Sequence, residues 1–310
     1  MVKPFRFSLT ATGINDPTEF RELARRAEDL GYSTLSTADH LDNQFAPLLA
    51  LTVAAEATTT LRILSLVLAN DYRHPVVLAK EIATLDQFSG GRLELGIGAG
   101  WMATDYHQAG IPYDRPGIRI ARLAESVTIL KASFSAEHVD FEGEYYRVDG
   151  FVNTPGVMQR PGPPLMIAGG GQKVLSLAAR EADIIGVNVA FGAGVVDARA
   201  GATASPAATD AKIRWIKEAA GPRFGALELH TRVHLAMIAD NREEVAATMG
   251  PAFGLSPDDA LRTPHALIGT KAQCIETLHR WRDDWGISYI GLSADAVNQM
   301  APIVAQLAGT

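Results

Sequence analysis

Residues 62–98, RILSLVLANDYRHPVVLAKEIATLDQFSGGRLELGIG, contain the pattern that decides the fold. The apolar run Arg62–Leu68 predicts a buried strand. Pro75–Phe88 begins with a proline and repeats apolar residues at helical spacing, so it predicts a helix. A serine and two glycines end that helix, and Leu93–Ile97 predicts the next strand. The segment is therefore a strand–helix–strand unit, which is typical of parallel sheets.

The same alternation continues on both sides of this unit. The further predicted strands are Phe5–Thr10, Thr34–Thr37, Leu165–Ile167, Ile184–Val187, Leu227–Ile238 and Ser288–Leu292. The further predicted helices are one that starts at Asp16-Pro17, then Pro47–Ala57, Arg115–Ser135, Gln172–Glu181, Lys212–Ala220, Lys271–Trp285 and Ala294–Leu307. Eight strands alternate with helices, and no strongly hydrophilic linker separates them. This pattern favours a closed (β/α)8 TIM barrel over an open sheet flanked by helices.

Two segments interrupt the alternation and are predicted to be insertions. Residues 138–164 contain VDFEGEYYRVDGF, which predicts a short hairpin, followed by an irregular proline-rich stretch. Residues near 190–210 are rich in glycine and alanine with few large apolar groups, which predicts a loop or lid. We expect a single domain that spans residues 1–310.

Composition excludes several classes of protein. The chain has 28 Lys and Arg against 35 Asp and Glu, a net charge of -7, which argues against a protein that coats nucleic acid. It lacks a stretch of about 18 apolar residues and an N-terminal apolar run, so we expect neither a membrane span nor a secretory signal, and a cytoplasmic location. Cys274 is the single cysteine, which excludes an intrachain disulfide and a four-thiolate zinc site.

Histidines at strand ends are the first candidates for chemistry. Asp39-His40 follows the second predicted strand, where an imidazole can exchange a proton near neutral pH and Asp39 could orient it. A loop histidine that caps backbone groups is the plain alternative. His230 and His234 share a face of a strand, but two imidazoles without a further ligand are more often structural, so we expect no metal site.

Glycines follow the fourth and fifth predicted strands. Gly96–Trp101 (GIGAGW) would let a flat ligand approach the backbone, with tight helix packing as the alternative explanation. Ala168–Gln172 (AGGGQ) leads directly into a helix, and successive amides at a helix N-terminus form a site suited to phosphate. Later strands of barrels often supply such a site.

Five blocks of the sequence resemble those of a known family. The blocks RHPVVLAKEIATLDQFSGGRLELGIGAGW (73–101), RIARLAESVTIL (119–130), FEGEYYRVDGF (141–151), PPLMIAGGGQKVLSLAAREAD (163–183) and LIGTKAQCIETLHRWRDDWGISYI (267–290) resemble the bacterial luciferase-like oxidoreductases. Within them, the chain is most similar to the branch that uses the deazaflavin coenzyme F420. The resemblance covers Phe5 to Leu307 and implies a (β/α)8 barrel with insertions.

The resemblance also implies a role for individual residues. Asp39 and His40 match a pair beside the deazaflavin ring and are the implied catalytic residues, and Leu66-Val67 matches a bulge with a non-prolyl cis peptide that backs the ring. Gly169–Gly171 match the segment that binds the cofactor's phosphate. The implied cofactor-binding set is Leu66, Val67, Ala69, Asn70, Gly98, Ala99, Gly100, Trp101, Gly169, Gly170, Gly171 and Gln172.

One position departs from the family pattern. Sugar-phosphate dehydrogenases of the family carry an acidic glutamate after the glycines of the fourth strand, where this chain has Trp101. Sugar-phosphate oxidation is therefore not expected, and the acid/base candidates narrow to His40, with Asp105 further along the loop.

The sequence leaves three possible functions open. The first is hydride exchange between F420 and a small organic substrate, with Arg73 and Lys173 as the cationic groups that would meet the cofactor's glutamate tail. The second is an FMN-dependent monooxygenase in which reduced flavin activates oxygen. The third is a flavin-binding protein without turnover. The sequence leaves a homodimer open.

Overall fold

The computed structural model describes residues 3–191, 194–195 and 201–310. Its strands are β1 (Arg6–Thr10), β2 (Thr34–Thr37), β3 (Arg62–Ser65), β4 (Leu68–Ala69), β5 (Leu93–Gly98), β6 (Val139–Glu142), β7 (Arg147–Phe151), β8 (Leu165–Gly169), β9 (Ile184–Val187), β10 (Glu228–Arg232), β11 (Leu235–Ile238), β12 (Ala266–Gly269) and β13 (Ile287–Ser293).

The barrel consists of eight parallel strands that close on themselves. Its order is β1, β2, β3, β5, β8, β9, β10 and β13, and the circle closes where Phe7 of β1 pairs with Ile290 of β13. β4 continues β3 beyond a bulge and pairs with β5. The predicted (β/α)8 TIM barrel is therefore confirmed, and its strands all end at the same face.

Helices follow the strands and surround them. Those described are α1 (Pro17–Asp29), α2 (Pro47–Ala57), α3 (Pro75–Phe88), α4 (Ala103–Ala109), α5 (Pro116–Ser135), α6 (Gln172–Glu181), α7 (Pro206–Ala220), α8 (Arg242–Met249), α9 (Pro257–Arg262), α10 (Lys271–Trp285) and α11 (Val297–Leu307). Short 3-10 turns occupy 70–72, 221–226, 250–253 and 294–296. None of the helices in the described ranges is both long and apolar enough to cross a membrane.

Local start signals explain why the helices begin where they do. Asp16 caps α1 by accepting hydrogen bonds from the amides of Thr18 and Glu19, at 2.8 and 2.9 Å. Thr270 and Gln273 form a reciprocal capping box at the start of α10. The predicted bounds of α2, α3, α6 and α10 agree with the structure to the residue, and α2 and α3 each begin with a proline.

A buried network of charged residues lies inside the barrel near the amino ends of its strands. Glu94 is 1% exposed and accepts hydrogen bonds from Arg6, from Arg62 at 2.6 Å and from the Tyr289 hydroxyl at 3.1 Å. Arg6 also pairs with Glu228 at 2.7 Å. Because paired charges fill the barrel at the amino ends of the strands, a site is available only at their carboxyl ends.

Two predicted strands differ from those observed. Leu227–Ile238 is not one strand, because β10 ends at Arg232 and β11 leaves the barrel to pair with β12 in a separate two-stranded parallel sheet. The apolar alternation runs through both strands, so it could not show the break. The predicted strand Arg62–Leu68 is interrupted at Leu66-Val67, which separates β3 from β4.

The predicted insertions contain more structure than the sequence indicated. β6 and β7 form the antiparallel hairpin expected within 138–164. The lid predicted near 190–210 falls largely on residues 192–193 and 196–200, which lie outside the described residues. Residues 206–210 are not loop but the first part of α7, because Ser205 caps the helix and Pro206 occupies its first position. The helix therefore begins before the predicted Lys212.

Candidate active site

A cavity of about 720 Å³ opens at the face where the barrel strands end. Loops after every barrel strand except β13 contribute to its lining, as do residues of β10 itself. The predicted site residues that line it are Asp39, His40, Leu66, Val67, Ala69, Gly98, Ala99, Gly100, Trp101, Gly169, Gly170 and Gly171. A cavity of this size can hold a tricyclic cofactor together with a small substrate.

Two predicted cofactor contacts lie outside the lining. Asn70 is buried, and its amide nitrogen donates to the Tyr146 hydroxyl at 3.1 Å, while its Oδ1 is buried without a partner in the described residues. Gln172 is the exposed first residue of α6. Their predicted contacts with the cofactor stay predictions.

One wall of the cavity is apolar, and we name it the ring bed (Leu66, Val67, Gly98 and Ala99). The Leu66-Val67 peptide bond is cis, as predicted. A Cβ at Gly98 would lie 2.9 Å from Cγ2 of Val67, so glycine is needed for β5 to pack against the bulge. Gly98 therefore packs tightly against Val67 and also leaves its backbone exposed to the cavity. The ring bed fits a planar ring.

The segment Gly169–Gly171 connects β8 to α6 and fits a phosphate. A Cβ at Gly170 would lie 2.4 Å from the carbonyl carbon and oxygen of Val189, so this glycine is required by the backbone of the neighbouring loop. At Gly171 nothing lies within 4 Å of such a Cβ, so that position faces open space. No side chain caps α6, which leaves its first amides available to an anion.

His40 is held by a residue from a distant part of the chain. Its Nδ1 lies 2.8 Å from Oδ2 of Asp105, and the Tyr72 hydroxyl donates to the same oxygen at 3.3 Å. Asp105 is 2% exposed and belongs to α4, a helix that the sequence did not predict. Because a carboxylate can only accept, Nδ1 carries the proton and Nε2 of the neutral ring is left as the proton acceptor.

The expectation that Asp39 orients His40 is therefore wrong. Asp39 has other partners. Its carboxylate accepts from Arg73 at 2.6 and 3.1 Å and from the amide of Ala69 at 3.0 Å. Asp39 thus holds the end of β4 and Arg73 in place, and its predicted catalytic role stays a prediction.

Because it pairs with Asp39, Arg73 is not available to the cofactor's glutamate tail, which it was predicted to meet. Burial opposes the charge of Arg73, but pairing with Asp39 outweighs it and raises the pKa of the guanidinium. Both terminal nitrogens of Arg73 are occupied by Asp39. Lys173 is exposed in the first turn of α6 and pairs with no described residue, so it is the predicted cation that stays available.

Aromatic rings form the wall beside His40. Trp101 stacks on Phe191 with centroids 4.3 Å apart, and its ring meets that of His40 edge-on at 5.5 Å. The Tyr113 hydroxyl donates to the Trp101 carbonyl at 2.7 Å, which fixes the loop. The buried Arg119 donates to the Gly100 carbonyl at 2.7 Å. These rings shield the imidazole from solvent on one side.

Sequence reasoning missed the lining residues that lie on β10 and just after it. His230 and His234 line the cavity together with Arg232, although the two histidines were expected to be structural. Burial lowers the pKa of His230 to about 3 and that of His234 to about 4, with the charge of Arg232 acting in the same direction, so both imidazoles are neutral at pH 7. The alternation of positions 230, 232 and 234 on a predicted strand was the signal that could have found them.

A family model described as "Luciferase-like monooxygenase" matches residues 1–288. The chain belongs to the luciferase-like monooxygenase family. Among related proteins of this family, an F420-dependent glucose-6-phosphate dehydrogenase from Nakamurella multipartita is 34% identical over 191 residues, which are 58% of this chain and 55% of the relative. An FMNH(2)-dependent dimethylsulfone monooxygenase from Pseudomonas putida is 30% identical over 169 residues, or 53% and 46% of the two chains.

This luciferase-like chain therefore spans about half the length of the curated relatives it matches. Over nearly its whole length its fold is similar to the coenzyme F420-dependent tetrahydromethanopterin reductase from Methanopyrus kandleri. The TM-score is 0.78 at 18% identity, and 96% of this chain and 98% of that chain are covered. Of the two curated relatives named here, one is an F420-dependent dehydrogenase and the other an FMNH(2)-dependent monooxygenase, so relatives of this chain include both kinds of enzyme.

Proposed function

We propose that this luciferase-like enzyme is an F420-dependent oxidoreductase that exchanges a hydride with a small organic substrate. The observation that carries the proposal is the His40–Asp105 pair beside the ring bed, with Nδ1 and Oδ2 2.8 Å apart. When bound, F420 supplies a hydride acceptor or donor at C5 of its deazaflavin ring. The remaining requirement is a group that moves a proton at the substrate oxygen, and His40 supplies it.

His40 would act through Nε2. Asp105 fixes the Nδ1–H tautomer, so Nε2 can take a proton from a substrate hydroxyl when the substrate is oxidised, or return it to a carbonyl oxygen in the reverse direction. Asp105 also stabilises the imidazolium that forms, in the manner of the third residue of a catalytic triad. The Tyr72 hydroxyl holds the carboxylate in place at 3.3 Å.

Other residues would bind the cofactor and keep water away. The ring bed would support the deazaflavin, and the amides of Gly170 and Gly171 with the start of α6 would bind the phosphate. Lys173, in the first turn of α6, would attract the glutamate tail, which in the sequence-based hypothesis needs cationic groups. Trp101 and Phe191 would exclude water from the reacting face.

The runner-up is an FMN-dependent monooxygenase, which is supported by the 30% identity to the dimethylsulfone monooxygenase. The phosphate segment and the ring bed would serve either cofactor, since both carry a phosphate and a tricyclic ring. The oriented imidazole favours F420, because hydride exchange at an alcohol or carbonyl needs a proton acceptor or donor at the oxygen.

Titration of the purified protein with F420 and with FMN, followed by fluorescence, tests the proposal. We expect F420 to bind, its affinity to fall with added salt, and the fall to be smaller in a Lys173→Gln variant, with FMN changing less in both cases. Hydride exchange is then followed as loss or recovery of oxidised F420 absorbance with a panel of alcohols and ketones. Stoichiometric FMN retained on purification, without F420 binding at low salt, would favour the monooxygenase. Tight F420 binding without exchange on any substrate would favour a flavin-binding protein.

A further inference from the structure

The wall of the cavity formed by β10 carries charge that the proposed chemistry does not use. We name it the β10 wall (His230, Arg232 and His234). The three residues alternate along the strand and its continuation, and all three line the cavity. Since side chains of a strand alternate between its two faces, this spacing directs His230 and Arg232 toward the barrel interior, and His234 lines the cavity just after the strand ends.

Arg232 is the single cation of this wall, and it is not neutralised. Its two terminal nitrogens donate to the Ser293 hydroxyl at 2.8 Å and to the Val233 carbonyl at 3.1 Å, and it forms no ion pair with a described residue. Burial lowers the pKa of Arg232 to about 10, with Asp295 as the opposing influence. Because no described carboxylate forms a direct ion pair with this half-buried guanidinium, its burial is costly, and an anion in the cavity would offset that cost.

The carboxylates of the cavity do not serve as that counter-ion. Asp39 is paired with Arg73, and Asp42 is exposed. The other lining arginine, Arg119, lies on α5 across the cavity, where it donates to the Gly100 carbonyl and stacks on Tyr113 at 4.3 Å. The β10 wall therefore presents one positive charge to a ligand.

His230 adds a hydrogen-bonding group without adding charge. It is 2% exposed, and its Nε2 is buried with no hydrogen-bond partner among the described residues. His234 is neutral as well, because burial lowers its pKa to about 4. One guanidinium with neutral imidazoles on either side matches a monoanion such as a carboxylate better than a phosphate dianion.

The position of Arg232 separates it from the phosphate segment. Its bond to Ser293 draws the guanidinium toward β13, whereas Gly169–Gly171 follow β8, on the other side of β9. β13 pairs with β1, and β1 pairs with β2, which leads to His40. Arg232 thus lies on the side of the cavity toward β13 and β1, away from Gly169–Gly171.

We propose that Arg232, with His230 beside it, binds a carboxylate of the substrate, so that the enzyme acts on small organic acids. The proposal rests on the proposed function for the reaction, but the binding site stands on its own geometry. A substrate held there would extend past β13 and β1 toward His40, which places its reacting carbon between the anion site and the proton acceptor.

Isothermal titration of the full chain without added cofactor tests the site. The probes are short aliphatic and aromatic monocarboxylates such as propionate and benzoate, their neutral amides, and inorganic phosphate. We expect at least one carboxylate to bind about 10-fold or more tightly than its amide, and more tightly than phosphate. Arg232→Gln should lose at least about 10-fold in carboxylate affinity, and Arg232→Lys should lose less.

Matched controls separate the possible outcomes. Arg25→Gln removes an exposed arginine of α1 and should leave carboxylate binding unchanged. The Kd of F420 should be the same in wild type and in Arg232→Gln, and circular dichroism should show that the variant is folded. Absence of carboxylate binding, preference for phosphate, or an equal loss of F420 affinity in Arg232→Gln would each overturn the proposal. Carboxylate binding that depends on Arg232, in a protein that does not bind F420, would refute the proposed function alone.

Discussion

Replacing Gly171 with aspartate should weaken cofactor binding while leaving the fold intact. Gly171 precedes α6 with ordinary backbone angles, φ -99° and ψ 154°, and nothing lies within 4 Å of a Cβ built there. Aspartate is a preferred helix cap, and relative to glycine it contributes a few tenths of a kcal/mol. We therefore expect the ligand-free variant to melt at or slightly above the wild-type temperature.

The effect on a bound phosphate should be large and of opposite sign. The new carboxylate would compete for the same first-turn amides that an anion needs. Two like charges 4 Å apart repel by about 4 kcal/mol at an effective dielectric constant of roughly 20, and exposure at this position reduces that figure. A loss of about 2.7 kcal/mol, or about 100-fold in Kd, is the resulting expectation for both F420 and FMN.

Fluorescence titration with each cofactor and a thermal melt of the ligand-free protein measure the two effects separately. Gly171→Ala is the matched control and should bind with nearly wild-type affinity, because it adds a methyl group into open space. Gly170→Ala should instead lower the melting temperature, since its Cβ would lie 2.4 Å from the Val189 backbone. Wild-type affinity for both cofactors in Gly171→Asp would refute phosphate binding at α6.

Three further predictions concern catalysis, stability and pH. His40→Ala and Asp105→Asn should each lower F420-dependent turnover by about 10²- to 10⁴-fold while the cofactor Kd changes little; unchanged turnover in either would contradict the proton-transfer role. Glu94→Gln should lower the free energy of unfolding in urea by about 3–5 kcal/mol, because it leaves two arginines facing a neutral amide, and a wild-type midpoint would count against this. Burial opposes ionisation of Glu28, but backbone amide hydrogen bonds outweigh it and lower its pKa from 4.5 to about 2. Its contribution to stability is therefore present above pH 4.5 and lost as the pH falls toward 2, and Glu28→Gln should flatten the melting temperature across that range.

Local signals in the sequence were sufficient for most of the fold. Helix starts depend on a capping side chain and a first-turn proline within a few residues, as at Asp16-Pro17, so they can be predicted without knowing the tertiary structure. The glycines before α6 were found in the same way, because strand ends of a barrel meet at one face. The predicted phosphate segment and ring bed line one cavity for that reason.

Charge partners could not be predicted from local signals. His40 and Asp105 are 65 residues apart in the chain, and Arg73 and Asp39 are 34 apart. Which carboxylate meets which cation depends on how the loops pack after the barrel closes, so adjacency in sequence suggested the wrong partner for His40. Arg232 was missed because the apolar alternation runs through both β10 and β11, so the sequence did not show that the barrel strand ends at Arg232.

The division of the cavity has a consequence for how specificity is built. The proposed cofactor contacts are backbone amides and apolar atoms on β3 to β8, whereas the groups proposed to carry charge or protons toward a substrate come from β10, from the end of β2 and from α4. Amides and apolar surfaces recognise a phosphate and a planar ring regardless of what is oxidised. Changes at Arg232 or His40 should therefore alter KM or kcat for the substrate without altering the Kd of the cofactor. Changes at Gly98 or Gly171 should do the reverse, which makes cofactor use and substrate choice independently variable in this barrel.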